Sequence, residues 1–371
     1  MLKLRASYGI GGNIGRNTAP YLIASYYDSS LVDGMAGSVN TPPNKDIRWE
    51  KTTTVNVGVD FALFRHRLSG TIEYYNKYSV DLLAAINGSP TQGFGYTTLM
   101  TNNGKMVNRG VEITLSGEII RQKDFSWNAS LLYAFNRNKV KHISVQPSLW
   151  DSRISMPTSY PMVGKPLYGI YAYKWAGLNE NGDPQVYDAE NNVTSGPARD
   201  YHALVYCGTT VPIHNASLTN VLRYKGFEFS AMLILDAGHK LRSSNIPSIN
   251  MSNGRITSTA KGIVDRWTQP GDVTDVPRLL FSNDTENFNT HRTELYRYSD
   301  LFVYDASNIR LSNISLAYRV PAHWCKKISL SGARLQFNVE NVATFAFDSK
   351  ANYDLGGKVK PNYVWGLYLN F

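Results

Sequence analysis

Apolar and polar side chains alternate along several segments of the chain. The segment TVNVGVDFALF places apolar residues at every second position, namely Val55, Val57, Val59 and Phe61. The segment GVEITLSGEI does the same with Val111, Ile113 and Leu115, and the chain ends on Trp365, Leu367, Leu369 and Phe371. Because successive side chains of a β-strand point to opposite faces, each segment predicts a strand with one apolar face.

Polar and charged side chains occupy the alternate positions of these and later segments. A β-barrel wall in lipid is apolar outward and polar inward, so we expect the apolar positions listed above to face lipid. An inward charge can be hydrated or paired. Five charged residues are expected to face a barrel lumen: Asp60, Glu112, Glu118, Asp236 and Arg310. The alternation changes phase between Leu311 and Ile314, and a β-bulge would absorb that slip.

The connections between the predicted strands alternate in length. Short turns fall near 65–66, 121–124, 225–226 and 321–327, and long polar stretches near 11–50, 84–103, 142–211, 238–305 and 343–362. Outer-membrane barrels have short periplasmic turns and long external loops, so this rhythm predicts an all-β, antiparallel up-and-down transmembrane barrel wall of about ten crossings, with a periplasmic C-terminus. The apolar segment 167–178 is expected to form a hairpin rising from the rim rather than two further crossings.

Composition agrees with a β-rich membrane protein. The chain is 43% hydrophobic, 18% charged and 12% aromatic, and it contains no apolar run long enough for a membrane-spanning helix. The net charge of +9 is spread among acidic residues without a long basic run. This distribution argues against a nucleic-acid partner, and it suits a solvated surface or contact with anionic lipid head groups.

The sequence carries no recognisable catalytic or zinc-binding signature. Cys207 and Cys325 match no zinc spacing, the His residues show no ligand spacing, and no nucleophile motif is present. We therefore expect no enzymatic activity, no cofactor and no metal. In the predicted topology the two cysteines lie at opposite ends of the wall, which excludes a disulfide between them.

One segment has some features of a calcium-binding loop. Asn179, Asn181 and Asp183 are spaced like its first oxygen ligands, with Glu190 as a final carboxylate. However, Pro184 stands where the loop requires a glycine. A polar turn at the tip of a hairpin is the favoured interpretation.

Aromatic residues in the long connections are candidates for substrate contact, because aromatic faces suit sugar rings and loops on a rigid wall commonly carry function. The candidates are Tyr96, Trp150, Tyr160, Trp175, Tyr201 and Trp267. The more ordinary interpretation is that they form an interfacial aromatic girdle or pack the loops together.

Seven local motifs occur in order along nearly the whole chain. They are RASYGIGGNIG at 5–15, NKDIRWEKTTTVNVGVDFALFRHRLSGTIEYYNKYSVDLL at 44–83, NNGKMVNRGVEITL at 102–115, ENGDPQVYD at 180–188, RYKGFEFS at 223–230, DRWTQPGDVTDVPRL at 265–279 and DASNIRLSNISLAYRVP at 305–321. Together they resemble the barrel of SusC/RagA-type TonB-dependent outer-membrane transporters.

The resemblance implies that residues 1–371 form the C-terminal portion of such a barrel, about 10 to 12 strands of a wall of roughly 22. The family's signal peptide, plug domain and TonB-contacting segment have no counterpart here. We therefore expect a fragment or a truncated gene product, with two open strand edges that the missing barrel half would pair.

The resemblance also implies function and partners. The expected activity is energy-coupled import of glycan or peptide fragments across the cell outer membrane. A SusD-type surface lipoprotein would act as a lid and contact the aromatic loop residues. The other implied partners are outer-membrane lipid, the missing N-terminal plug and barrel half, TonB through that absent part only, and the barrel-assembly machinery, for which Phe371 would be the terminal signal.

Two other classes of protein would share some of these features. A soluble carbohydrate-binding or adhesive β-sandwich also has alternating strands and exposed aromatic residues, but it does not require the long connections to lie on one side. An ungated porin would need a complete set of strands in a smaller barrel.

Overall fold

A computed structural model gives the architecture of the chain. It describes residues 1–15, 20–28, 30, 34–41, 43–87, 91, 98–145, 152–196, 200–251, 259–281, 290–327, 329–356 and 360–371. In this part of the chain β-strands predominate over short helices, as an all-β fold requires. None of the described helices is long and apolar enough to cross a membrane.

The strands are, in order, β1 (Leu2–Asn13), β2 (Ile23–Asp28), β3 (Met35–Thr41), β4 (Glu50–Leu63), β5 (Leu68–Asn87), β6 (Thr98–Arg121), β7 (Phe125–His142), β8 (Gly169–Tyr173), β9 (Trp175–Leu178), β10 (Pro184–Tyr187), β11 (Val193–Thr194), β12 (Leu204–Thr209), β13 (His214–Tyr224), β14 (Phe227–Ala237), β15 (Lys240–Arg242), β16 (Asn250–Met251), β17 (Leu280–Phe281), β18 (Val303–Asp305), β19 (Asn308–Arg319), β20 (Gly332–Ala346) and β21 (Asn362–Asn370). The helices are α1 (Ser152–Ser155), α2 (Thr290–Arg297), α3 (Ala322–Lys326) and α4 (Asn352–Leu355).

Ten strands form a single antiparallel sheet, which we call the wall. Their spatial order is β1-β4-β5-β6-β7-β13-β14-β19-β20-β21, which is also their order along the chain. The predicted all-β, up-and-down arrangement and the number of crossings are therefore confirmed. Within the described residues β1 and β21 lie at opposite edges, so the wall is a partial barrel, not a closed one.

The pairing register sorts the predicted residues onto two faces of the wall. Phe61 pairs with Gly70, Gly70 pairs with Leu115, and Leu115 pairs with Leu131. These residues of four neighbouring strands form one row without a polar side chain. We call this side the apolar face, and its opposite the polar face. On the apolar face lie Val55, Val57, Val59, Phe61, Val111, Ile113, Leu115, Trp365, Leu367 and Leu369. On the polar face lie Asp60, Glu112, Glu118, Asp236 and Arg310.

The apolar face is open to its surroundings over much of its area. Val57 is 49% exposed, Leu367 is 62% exposed and Trp365 is 78% exposed. A contiguous apolar surface of this extent is unfavourable in water, and it marks a surface that another apolar phase covers.

Bulges explain where the alternation slips. Ser312 is the additional residue where β19 passes β14, because Met232 pairs with Asn313 and Leu233 with Leu311. The predicted bulge in that segment is confirmed. A second register shift follows Glu118, so that Ile120 rather than Ile119 pairs with Trp127. The simple alternation in β6 is therefore wrong beyond Glu118.

The connections alternate in length as predicted, with every long one at the same end of the wall. The connection predicted at 84–103 is shorter than expected, because β5 continues to Asn87 and β6 already begins at Thr98. A register shift near Asp81, whose φ is 56°, interrupts the alternation there. The extended pairing was hidden in the sequence by that irregularity.

Gly110 offers a test of packing within the wall. A Cβ at this position would overlap the ring of Tyr75 and the carbonyl of Phe135. The Tyr75 hydroxyl donates to Asn136 Oδ1 at 3.1 Å, so a displaced ring would lose that bond. We expect Gly110→Ala to lower the free energy of unfolding by roughly 1–3 kcal/mol, measured as the urea midpoint in detergent.

The matched control is Gly9→Ala in β1, where an added Cβ would meet no atom within 4 Å. Its midpoint should stay near that of the unchanged protein. Equal midpoints for both variants would contradict the close approach at Gly110.

Candidate functional site: the loop assembly and the polar face

The two longest connections build a separate folded unit at one end of the wall, which we call the loop assembly. It contains the pairs β8·β12 and β15·β18, the three-stranded sheet of β9, β10 and β11, and helix α2. The prediction that residues 167–178 form a hairpin is wrong in detail, because the two strands of this segment do not pair with each other. β8 pairs with β12 and β9 with β10, so the segment contributes to two different sheets and adds no strand to the wall.

A tyrosine-rich core holds the loop assembly together. Its buried members are Tyr171, Tyr173, Val186, Ala203, Leu204 and Leu295. An adjoining cluster contains Ile249, Tyr296 and Phe302. The hydroxyl of Tyr171 accepts a hydrogen bond from the backbone N–H of Met162 at 3.1 Å, which satisfies its buried polar end. Burial raises the pKa of Tyr171, so this phenol stays neutral.

Four of the predicted aromatic residues pack within this assembly. Tyr160 is buried, and Trp175 and Tyr201 lie against the tyrosine core. The indole N–H of Trp175 donates to Asp275 Oδ1 at 3.0 Å. Trp267 covers Gly182, where a Cβ would overlap its ring. A packing role is therefore visible for these four, and contact with a substrate or a lid stays a prediction.

The other two predicted aromatic residues, Tyr96 and Trp150, lie outside the described residues.

Asp183 is the centre of an ion-pair network that joins distant parts of the loop assembly. Its carboxylate accepts two hydrogen bonds from Arg278, at 3.1 and 2.9 Å, and one from Arg292 at 2.7 Å. The side chain of Arg292 is only 4% exposed. Burial lowers the pKa of Arg292, and the neighbouring Asp183 opposes that shift. The network thus keeps a buried guanidinium charged by giving it a carboxylate.

The network also accounts for the segment that has features of a calcium loop. Asn179 Oδ1 accepts from the backbone N–H groups of Asn181 and Asp183, each at 2.9 Å, within the turn that joins β9 to β10. The predicted polar turn at a hairpin tip is therefore confirmed. Both oxygens of Asp183 are engaged by arginine, and Glu190 lies beyond β10 in the next turn.

Sequence reasoning missed this network because its members are far apart in the chain. Arg278 follows Asp183 by 95 residues and Arg292 by 109. However, Asp183 lies in ENGDPQVYD and Arg278 in DRWTQPGDVTDVPRL, two of the recognised motifs. The structure brings these motifs together as one unit, with Trp267 over Gly182 and Arg278 on Asp183.

The polar face of the wall carries paired charges. Arg5 donates to both oxygens of Asp60, at 2.8 and 2.9 Å, and lies 3.7 Å from Glu73. Arg310 approaches Asp236 at 3.4 Å, and Arg121 approaches Glu118 at the same distance. Glu112 and Asp236 line opposite sides of a groove of about 290 Å³. These side chains can present hydrogen-bonding groups to a polar solute.

A pocket of about 360 Å³ lies where the wall meets the loop assembly. Its apolar lining includes Leu82, Met106, Val140 and Leu167. Charged or titratable side chains at its margin are Glu50, Lys105 and His142. This combination suits a ligand with one apolar face and polar groups at its edge.

Comparison with known proteins places these features in a family. A family model described as TonB dependent receptor-like, beta-barrel matches residues 1–342. TonB-dependent receptor P3 of Formosa agariphila is 26% identical, over 98% of this chain and 37% of its own length. TonB-dependent receptor SusC of Bacteroides thetaiotaomicron is also 26% identical, over 92% of this chain and 34% of its own. This chain thus spans little more than a third of the length of these relatives.

A solved structure, that of the RagAB peptide transporter, has the same fold over the whole chain. Its TM-score is 0.76 at 24% identity, and the match covers 41% of that protein.

Asp183→Asn tests the ion-pair network. The change removes the charge that compensates buried Arg292, and breaking a buried pair in this way costs roughly 3–5 kcal/mol. We expect faster backbone hydrogen exchange in α2 and in residues 261–281, with no change in β5 and β6. Glu190→Gln, in an exposed turn, is the control and should leave exchange unchanged. Protected loops in Asp183→Asn would show that the network does not hold them.

Proposed function

Because the chain belongs to the TonB dependent receptor-like β-barrel family, we propose that its ten-stranded sheet forms part of the wall of an outer-membrane nutrient transporter. One observation carries the proposal. The wall combines an exposed apolar face, a face of paired charges, and long connections at one end only. Lipid would contact the apolar face, an aqueous lumen would contact the face of paired charges, and the external medium would contact the long connections.

The two edges of the wall require partners in this proposal. An unpaired strand edge in hydrocarbon leaves backbone N–H and C=O groups without hydrogen bonds, at a cost of several kcal/mol for each group. β1 and β21 would therefore pair with strands of the remaining barrel half. A plug domain would fill the lumen, because a barrel with the family's strand number is wider than its own side chains can fill.

The proposed cargo is a glycan or peptide fragment, taken up with energy supplied through TonB and captured beneath a SusD-type lipoprotein. The pocket between the wall and the loop assembly supports a cargo with both apolar and polar groups. The related RagAB structure is described as a peptide transporter, which makes peptide the first cargo to test. A soluble β-sandwich is the weaker alternative, because all ten wall strands belong to one sheet with an exposed apolar face.

Uptake by living cells tests the transport function. Strains that lack the full-length gene or carry it on a plasmid would receive fluorescent peptide or glycan fragments, with or without a protonophore. We expect uptake of one class of fragment to require both the gene and the proton gradient. Uptake that depends on the gene but resists the protonophore would support the ungated-pore alternative instead.

Arginine substitutions on the apolar face test its contact with lipid. Val57→Arg and Leu115→Arg should each cost roughly 2–4 kcal/mol near the bilayer midplane and block assembly of the full-length protein. The readout is the folded, heat-modifiable fraction in purified outer membranes. Thr114→Arg, beside Leu115 but on the polar face, is the matched control, and Trp267→Ala in the loop assembly should also spare assembly. Equal assembly of all four variants would overturn the assignment of the faces.

A further inference from the structure

The apolar face of the wall changes to a basic surface at the end nearest the long connections. On β7 the last apolar residue of that face is Phe135, and the next two positions on it are Arg137 and Lys139. Lys141 is the additional residue at a register shift, where Val140 pairs with Met106 and His142 with Lys105, and it lines the same surface. Arg109 of β6 lies directly opposite Arg137, and Lys165 borders the same surface from the connection after β7. We call these five residues the basic cluster.

The basic cluster surrounds a cavity of about 660 Å³ whose described lining contains no carboxylate. None of the five cations forms a salt bridge within the described part of the chain. Arg109 instead donates to the amide oxygen of Asn76 at 2.9 Å. The ammonium group of Lys165 lies 4.9 Å from the centre of the Tyr206 ring. Arg137, Lys139 and Lys141 are exposed. The cluster therefore contrasts with the polar face, where arginines meet carboxylates.

The pairing of Arg109 with Arg137 is unfavourable by itself. Directly opposed like charges destabilise an antiparallel pair, because their side chains approach closely across the strands. A bound anion would offset this repulsion. Two guanidinium groups side by side suit phosphate in particular, since each can donate two parallel hydrogen bonds to its oxygens.

The height of the cluster matches the edge of a membrane. The apolar stretch of β7 runs from Phe125 to Phe135, which at about 3.3 Å per residue is roughly 36 Å of strand. A tilt of about 45° reduces this to roughly 25 Å across the membrane, the usual height of a barrel's apolar band. Arg137 is the first residue of that face beyond the band. This step rests on the proposed function, because it takes the apolar face to be in lipid.

We propose that the basic cluster binds the phosphorylated head group of a lipid in the membrane leaflet nearest the long loops. The same cavity has an apolar side formed by Tyr74, Val107, Phe135, Val211 and Ile213. A lipid offers both parts of the match, with phosphate toward the cations and hydrocarbon toward the apolar side. A soluble anion would use only the cations.

The test uses the full-length protein purified in detergent and stripped of lipid, with diphosphoryl lipid A as the probe. Binding is compared between the unchanged protein and the triple variant Arg137→Gln, Lys139→Gln, Lys141→Gln. We expect the triple variant to bind about tenfold more weakly or worse, because each basic residue near a membrane surface contributes to anionic lipid binding. High salt should weaken binding to the unchanged protein.

Two controls separate the cluster from general charge. Lys123→Gln, Lys326→Gln and Lys327→Gln together remove the same charge from exposed positions in the short turns, and this variant should bind like the unchanged protein. The variant Arg137→Lys, Lys139→Arg, Lys141→Arg keeps the charge and should retain binding. If the neutral triple variant does not assemble, Lys139→Gln and Lys141→Gln are measured singly, and each should weaken binding by about twofold or more.

Three outcomes would overturn the proposal. The first is equal binding of lipid A by the neutral variants and the unchanged protein. The second is an equal loss of binding in the short-turn control. The third is competition by inorganic pyrophosphate at the same concentrations as lipid A, which would identify a soluble anion as the ligand. Cargo uptake is a separate readout, so its absence beside intact lipid binding would count against the transport function alone.

Discussion

The wall depends above all on the pairing of its backbone hydrogen-bonding groups. Hydrocarbon offers no water to an unpaired N–H or C=O, so a sheet in a membrane must be a continuous ladder. The ten strands meet this demand from the pair Leu2 and Phe61 at one edge to the pair Leu335 and Leu367 at the other. At Ser312 and Ile119 the ladder shifts by a residue and then resumes, which keeps the irregularity local.

The ladder explains why so much of the wall could be predicted from the sequence. Once neighbouring strands pair in register, a period of two in each strand becomes two faces of one sheet, and the apolar and charged residues separate without further information. The errors occur where the period itself is interrupted. The register shift near Asp81, which has a positive φ, made the outer ends of β5 and β6 unpredictable. The shift at Ile119 changed which residues of β6 lie on each face beyond Glu118.

The loop assembly is held together by contacts between distant parts of the chain, and it was much less predictable from the sequence. Its core and its ion pairs join residues that lie far apart in the chain, such as Trp175 with Asp275 and Asp183 with Arg292. No local periodicity records such contacts. The aromatic residues were recognised as important, but sequence reasoning could not distinguish a tyrosine that supports the assembly from one that would meet a ligand. The motifs ENGDPQVYD and DRWTQPGDVTDVPRL were the one signal of a shared site.

The hairpin of β5 and β6 is longer than a membrane crossing requires. β6 has 24 residues, which corresponds to about 80 Å of strand, whereas a tilted crossing needs about ten residues. The outer part of this hairpin keeps its ladder as far as the pair Asn87 and Thr98. It is also joined to its neighbours, because Asn44 Nδ2 donates to the carbonyl of Met100 at 3.2 Å and Ser144 Oγ donates to Asn103 Oδ1 at 3.1 Å. A sideways force on this outer part would reach the inner residues of β5 and β6 as a torque, because the same two strands run from the outer part into the wall.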